Sequence, residues 1–257
     1  MDSDGFTAGL KHYHRQRWRN ILRLLPLYLQ KQKAEDLHRL RVEIKKLTAI
    51  YHLLAYIHPA FSIQESLKQL DKIFKLSGKI RDRLNAKAFE KKFGVKTGND
   101  KLKHKAQKAT RKLNSGYNEH TALLKAVRKR NNAWLTNIKT TQLQSYLTTT
   151  KQQVITLLKA NPEGKKLHEC RKMLKELMYL SALETGRKKT ISQREVQLID
   201  HLQDMIGCWH DVDKFKRSLQ NQYVKEQSYK SIIAEEKRLL AQVKKYANAY
   251  LQKAGVN

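Results

Sequence analysis

One stretch of the sequence occurs twice and constrains the fold more than any other feature. The copies are residues 37–49 and 167–179, and each contains a histidine, an arginine and a lysine at the spacing H-x-x-R-x-x-x-K. On an α-helix, at about 100° per residue, these three positions lie within roughly 60° of one another and form one row of hydrogen-bond donors. Apolar residues such as Leu40, Ile44 and Leu47 take the opposite face. Each copy therefore predicts an amphipathic helix with a cationic stripe. The first stripe is His38, Arg41 and Lys45, and the second stripe is His168, Arg171 and Lys175.

The composition favours helices throughout the chain. Of its 257 residues, 40% are apolar, which is enough for the core of one large domain or of two small ones. Only three Pro and ten Gly interrupt segments rich in good helix formers such as Leu, Lys, Ala and Glu. Because no alternating run of apolar and polar residues predicts a strand, we expect an all-α protein.

The two stripes belong to a longer internal repeat. The element G-x-x-x-D occurs at residues 78–82 and again at 207–211, a shift of 129, whereas the stripes are shifted by 130. Turn signals allow four helices in each half. This pattern predicts two similar four-helix bundles, residues 1–132 and 133–257, related by a pseudo-twofold axis. Under that symmetry the stripes are expected to face each other across a basic central groove or pore.

The positions of glycine, proline and serine residues predict where helices begin, end or are interrupted. Gly78 and Gly207 are expected to interrupt their helices, and Pro26 is expected to kink or interrupt the first helix. Ser192 is expected to cap a helix. One long basic helix is predicted over residues 100–129.

The charge of the chain is its strongest bulk signal. The sequence has 53 Lys and Arg against 23 Asp and Glu, a net charge of +30 with histidine neutral. Such self-repulsion destabilises the folded protein unless a polyanion neutralises it. RNA, DNA, an anionic membrane surface and inorganic polyphosphate are the candidate partners, and charge alone favours nucleic acid.

Cysteine usage and hydropathy indicate the compartment. Cys170 and Cys208 lie 38 positions apart, and neither belongs to a C-x-x-C motif, which fits a reducing cytosol. No stretch reaches the roughly 18 apolar residues of a membrane span, and no secretory signal is visible at the N-terminus. We therefore expect a soluble cytoplasmic protein that needs no cofactor or metal, exists as a monomer or small homo-oligomer and does not bind membranes.

The motifs resemble those of a known family, the CHAD domains, which are α-helical and are named for a characteristic histidine. Residues 37–47, L-H-R-L-R-V-E-I-K-K-L, look like the family's signature helix, and residues 76–82, L-S-G-K-I-R-D, resemble the element that follows it. The second copy, with Tyr179 and residues 206–211, resembles the family's repeat. The resemblance spans nearly the whole chain, so residues 1–257 are expected to form a single CHAD-like domain. It implies two four-helix bundles around a basic groove or pore that binds inorganic polyphosphate, without a known reaction.

The sequence departs from the family pattern at three positions. Thr48 stands where the family often has a further arginine, Glu176 where it has a second basic residue, and Leu84 where it has a second aspartate. The first copy keeps the adjacent pair Lys45 and Lys46. The second wall of the predicted groove is therefore expected to bind more weakly than the first.

The stripes supply the predicted polyphosphate-binding residues. Arginine can hold a phosphate through two parallel N–H bonds, whereas lysine offers a mobile point charge. A phosphate chain near an imidazole favours its protonated form, so binding is expected to strengthen below neutral pH. The predicted ligands are His38, Arg41, Lys45, Lys46, His168, Arg171 and Lys175, and the second-tier cations are Arg15, Arg19, Lys79, Arg81, Lys108, Arg111 and Lys112.

Two alternatives to a polyphosphate-binding protein stay open. A nucleic-acid-binding module fits the charge, but single-stranded nucleic acid usually stacks on aromatic platforms, and the aromatic residues here occupy mostly apolar helical positions. An enzyme or accessory of polyphosphate metabolism would need a catalytic constellation, and the chain has no H-E-x-x-H, Walker loop or G-x-S-x-G. Asp82 and Asp211 are expected to be structural, paired with a nearby Arg or His. We therefore expect a non-catalytic protein, for which polyphosphate granules are a candidate location.

Overall fold

The computed structural model describes residues 3–95, 100–184, 189–220 and 223–255. Within these ranges every regular element is an α-helix, and no strand occurs. The prediction of an all-α protein is therefore confirmed. The helices are α1 (Ser3–Lys31), α2 (Ala34–Ile57), α3 (Ile63–Phe93), α4 (Asp100–Ser115), α5 (Tyr117–Asn132), α6 (Thr140–Lys159), α7 (Gly164–Ser181), α8 (Gln193–Ser218) and α9 (Glu226–Lys253).

The chain forms two compact units. The first unit comprises Met1–Leu84 and Asn99–Leu143, and the second comprises Asn85–Gly98 and Gln144–Asn257. The first stripe lies on α2 in the first unit, and the second stripe lies on α7 in the second unit. The division into repeats at 132 and 133 stays a prediction.

The first unit is held together by α1 and α2, with α4 and α5 packed against α1. Its core contains a buried polar network. The Trp18 indole N–H donates to Nε2 of His14 at 3.0 Å, and it also lies 3.2 Å from the hydroxyl of Tyr51. Burial lowers the pKa of His14 to about 4, so this imidazole is neutral at physiological pH and can accept a hydrogen bond from the indole N–H. All three side chains are almost fully buried.

The second unit packs α7 and α9 against α8. Ser192 begins α8 with a capping box, in which its hydroxyl accepts from the Glu195 amide and the Glu195 carboxylate accepts from the Ser192 amide, as the sequence predicts for a helix cap. Lys151 of α6 donates to the same carboxylate at 2.5 Å. The segment of α3 that belongs to this unit contributes Phe89, whose ring lies 5.3 Å from that of Phe215.

Three predictions about helix interruptions were wrong. Helix α3 continues through Gly78, and α8 continues through Gly207. Helix α1 continues through Pro26, so an interruption there is excluded, and a kink stays a prediction. The basic segment 100–129 is divided between α4 and α5, because the chain turns at Gly116. A glycine inside a helix costs about 1 kcal/mol relative to alanine, and the contacts described below show what offsets that cost.

Among the described residues, no helix is both long and apolar enough to span a membrane.

Candidate anion-binding site

The first stripe lies along α2, where its members differ in exposure. His38 is exposed, Lys45 and Lys46 are partly buried, and Arg41 is buried, with only 7% of its surface exposed. The apolar residues opposite the stripe, which include Leu40, Ile44 and Leu47, form part of the core as predicted. The amphipathic pattern therefore places His38 and the two lysines within reach of a bound anion.

Arg41 is fixed against α3. Its Nη1 donates to the backbone oxygen of Phe74 at 2.6 Å and to the hydroxyl of Ser77 at 2.8 Å. The centre of its guanidinium lies 3.9 Å from the centroid of the Phe74 ring, and Nζ of Lys45 lies 5.8 Å from the same ring. The guanidinium also packs against Gly78, where an added Cβ would be 3.3 Å from Nη1.

A cleft of about 300 Å³ lies beside the first stripe, between α1 and α2. Arg23 and Arg39 line it together with His38 and Lys46, so four basic side chains face one space. These are joined by Asn20, Leu24, Glu35, Val42 and Glu43. The stripe pattern misses Arg23, because that residue lies on α1, but the position of Arg39 next to His38 is a signal the sequence contains.

Glu43 lines this cleft and is bonded to several neighbouring side chains. Its carboxylate forms a buried ion pair with Arg17 at 3.1 Å and accepts hydrogen bonds from Asn20 at 3.2 Å and Lys46 at 3.4 Å. A buried carboxylate is stable only when it is paired and hydrogen-bonded in this way. The arrangement holds Lys46 at the edge of the cleft while its side chain keeps 26% of its surface exposed.

In the second unit, the histidine of the stripe stacks on another histidine. The rings of His168 and His210 lie 4.6 Å apart at an interplanar angle of 28°. Nδ1 of His210 lies 3.7 Å from a carboxylate oxygen of Asp211, which also accepts from Asn85 at 3.1 Å. His210 was not predicted as a site residue, although it directly precedes the motif aspartate.

Arg171 repeats the contact that Arg41 makes in the first unit. Its Nε donates to the backbone oxygen of Gln203 at 2.8 Å. Its guanidinium packs against Gly207, where an added Cβ would be 2.5 Å from Nη2 and 2.8 Å from Nε. A contact under 3.0 Å is shorter than real Cβ atoms make, so only glycine fits there without movement of the arginine.

Lys175 of the second stripe has a shifted pKa. Burial, and after it the charge of the neighbouring Arg171, lowers its pKa to about 8, while the carboxylates of Asp204 and Asp200 partly oppose that shift. Both carboxylates accept from the amide of Gln203, at 2.9 Å for Asp200 and 2.7 Å for Asp204. The second stripe therefore lies close to acidic groups of its own unit.

Glu176, which stands where the family has a basic residue, is hydrogen-bonded to the hydroxyl of Tyr146 on α6. Burial, together with this carboxylate, raises the pKa of Tyr146, so the hydroxyl stays a donor. The position equivalent to Lys46 thus holds α6 and α7 together instead of presenting a cation.

The second-tier cations are mostly exposed, and they lie on several helices. Arg81 is the exception, because it is half-buried and pairs with Asp82 at 3.2 Å. The arginine partner that the sequence predicts for Asp82 is thus present. The exposed residues are Arg15 and Arg19 on α1, Lys79 on α3, and Lys108, Arg111 and Lys112 on α4.

A second cleft, of about 580 Å³, follows α3 in the first unit and is lined by Lys68, Lys72 and Lys75 together with Gln64, Glu65 and Asp71. No cluster of His, Cys, Asp or Glu within the described ranges could hold a metal ion. The polar groups around the first stripe are chiefly cations and N–H donors, a set that suits phosphate oxygens. The second stripe lies among carboxylates as well.

Comparison with known proteins shows the fold and the family. A solved structure, PptA from Streptomyces chartreusis, is similar over 96% of this chain and 98% of its own, with 12% sequence identity and a TM-score of 0.59. At that identity the similarity concerns the fold alone. No match was found among curated proteins. The family description of the CHAD domain matches residues 12–220, which is most of the sequence and includes both stripes. The chain therefore belongs to the CHAD domain family.

Proposed function

We propose that this protein binds inorganic polyphosphate through the cations of the two stripes and of the helices beside them, and that it catalyses no reaction. CHAD domains as a family bind polyphosphate, and the match includes both stripes. The basic central groove between two repeated bundles, predicted from the internal repeat, is part of this proposal.

One observation carries the proposal. In each unit an amphipathic helix presents a histidine and a lysine at the same spacing, on a chain with a net charge of +30. A linear polyanion with a phosphate at every step can engage such a row repeatedly, since each contact needs only charge and N–H donors. The cleft lined by His38, Arg39 and Lys46 brings several of these donors together.

The surroundings of the stripes favour polyphosphate over single-stranded nucleic acid. Bases would stack on exposed aromatic rings. Beside the stripes, the Phe74 ring lies against Arg41, and the Tyr179 ring lies 5.9 Å from Nζ of Lys175 and is only 7% exposed. These rings pack against cations of the protein rather than forming a platform for bases.

The test is a titration of the full chain with long-chain polyphosphate by calorimetry. Lys45→Ala combined with Lys46→Ala should weaken binding about 10-fold, because two contacts of about 0.7 kcal/mol each are lost. Lys244 and Lys245 provide a matched control, since they are adjacent, exposed and on α9, beyond the family match. The control double alanine variant should bind within about 2-fold of wild type.

Equal losses of polyphosphate affinity in the two double variants would show that net charge alone drives binding. That result would overturn the assignment of the site. To test the non-catalytic part of the proposal, the polyphosphate is recovered after incubation and its chain length measured. Shortened chains or released phosphate would contradict that part.

A further inference from the structure

We propose that Arg41 and Arg171 are positioning residues, each of which fastens the stripe helix to the following glycine-bearing helix, while the lysine one turn further on contacts the phosphate chain. This inference rests on the proposed function for its consequence in binding, but its structural part stands on contacts within each unit. It reassigns two of the residues that the sequence predicts as phosphate ligands.

The same backbone atom is used in both units. Arg41 donates to the carbonyl of Phe74, four residues before Gly78, and Arg171 donates to the carbonyl of Gln203, four residues before Gly207. In an α-helix the N–H of a residue donates to the carbonyl four positions earlier. Each arginine therefore adds a second hydrogen bond to the carbonyl that already accepts from the motif glycine.

The glycines make that second bond possible. A side chain at Gly78 or Gly207 would project over the carbonyl and meet the guanidinium, at 3.3 Å in the first unit and 2.5 Å in the second. This explains why both glycines lie inside helices, where each costs about 1 kcal/mol relative to alanine. The bond to a buried charged group offsets that cost.

The environment of Arg41 supports a structural role. It is 7% exposed, donates to a backbone carbonyl and the Ser77 hydroxyl, and stacks on Phe74 at 3.9 Å. Its guanidinium therefore already has neighbours that satisfy and shield it. Lys45 lies one turn further along α2 and its Nζ is near the same ring, so a fixed Arg41 also fixes the part of α2 that carries Lys45.

The first experiment measures thermal unfolding without polyphosphate. Gly207→Ala alone should lower the melting temperature by about 5 °C, because the added methyl group overpacks against Arg171. In an Arg171→Ala background the same substitution should raise the melting temperature by about 3 °C, because the space is open and alanine favours the helix. Gly78→Ala should cost less than Gly207→Ala, since its contact distance is longer.

A reversal of sign between the two backgrounds supports the inference, and an equal effect of Gly207→Ala in both overturns it. If Gly207→Ala alone does not fold, the double variant decides, because recovery of folding supports the contact and failure in both overturns it. None of these outcomes depends on polyphosphate, so they separate this inference from the proposed function.

The second experiment measures the salt dependence of polyphosphate binding. A lysine that neutralises a phosphate contributes about 0.7 to the slope of log K against log salt, so Lys175→Ala should reduce the slope by about that amount. Arg171→Ala should weaken binding about 3-fold with no change of slope, and this loss should vanish in a Lys175→Ala background. A reduced slope for Arg171→Ala would make it a phosphate ligand and overturn the positioning role.

Discussion

The first and second units use the same arginine–glycine contact but surround it with different charges. Residues 63–84 contain six Lys and Arg against three Asp and Glu, whereas the equivalent residues 192–213 contain one against five. With the motif glycines aligned, Lys75 corresponds to Asp204 and Lys79 to Cys208. The arginine–glycine contact is thus present in both units, whereas the excess of positive charge that attracts an anion surrounds it only in the first.

The difference extends to the residue whose backbone carbonyl accepts a hydrogen bond from each arginine. In the first unit the Phe74 ring packs against Arg41 and lies near Lys45. In the second unit the amide of the equivalent Gln203 donates hydrogen bonds to Asp200 and Asp204. The negative charges of these carboxylates lie close enough to Lys175 to raise its pKa, against the lowering by burial. We infer that the first unit contributes most of the affinity for polyphosphate and that the second unit contributes less, as the departures in the sequence predict.

The largest effect is expected when the cations of the first unit are removed. Alanine at Lys45, Lys46, Lys75 and Lys79 should weaken polyphosphate binding about 100-fold, at about 0.7 kcal/mol per side chain. The control removes the same charge from α9, by alanine at Lys237, Lys244, Lys245 and Lys253, and should cost less than about 3-fold. Calorimetric titration gives both values, and a control that weakens binding as much as the first variant contradicts the inferred asymmetry.

A transplant should narrow the difference between the units. Asp204→Lys with Cys208→Lys places in α8 the residues that α3 carries, and it should strengthen binding about 5-fold. Glu226→Lys with Gln227→Lys changes the net charge by the same amount at exposed positions of α9. If the two pairs raise affinity equally in a titration at fixed salt, the location of the charge does not matter and the comparison fails.

A smaller effect is expected at Glu176. Glu176→Lys introduces the residue that the first copy has at Lys46, and it should strengthen binding about 3-fold while releasing the Tyr146 hydroxyl. Glu163→Lys, at an exposed position just before α7, is the control for charge. The account requires a larger gain for Glu176→Lys than for this control.

The smallest effect is a pH dependence carried by Lys175. Its pKa of about 8 means that the ammonium is charged at pH 7 and loses its proton as the pH rises through 8. Polyphosphate favours the charged form, so binding should weaken about 2-fold between pH 7 and pH 9. Lys175→Met, measured by the same titration, should show no such change; a change equal to that of wild type would assign the dependence to other groups.

The sequence is sufficient to predict the helices and the faces that the stripes occupy. Periodicity places Leu40, Ile44 and Leu47 in the core correctly, because burial of apolar surface dominates the choice of face. It fails at Gly78 and Gly207, because a local propensity for interruption is overridden by a contact with an arginine more than 30 residues earlier. Such a contact leaves no periodic signal in either helix.

The candidate site is predicted less completely than the fold. Spacing identifies the stripes, but it gives the arginine and the lysine the same status and does not reveal that Arg41 is buried. It also misses Arg23 and His210, which join the stripes only through packing with α1 and α8. Both errors arise because a helical pattern describes one helix, whereas a site requires its neighbours.

A competition experiment tests the central claim most directly. Labelled long-chain polyphosphate is bound to the wild-type protein at about 150 mM salt, and unlabelled RNA is added at increasing phosphate concentration. The account predicts that RNA at a 100-fold excess of phosphate leaves most of the polyphosphate bound, whereas unlabelled polyphosphate displaces it near equal concentration. Displacement by RNA at a concentration similar to that of polyphosphate would contradict the claim and make the protein a general binder of polyanions.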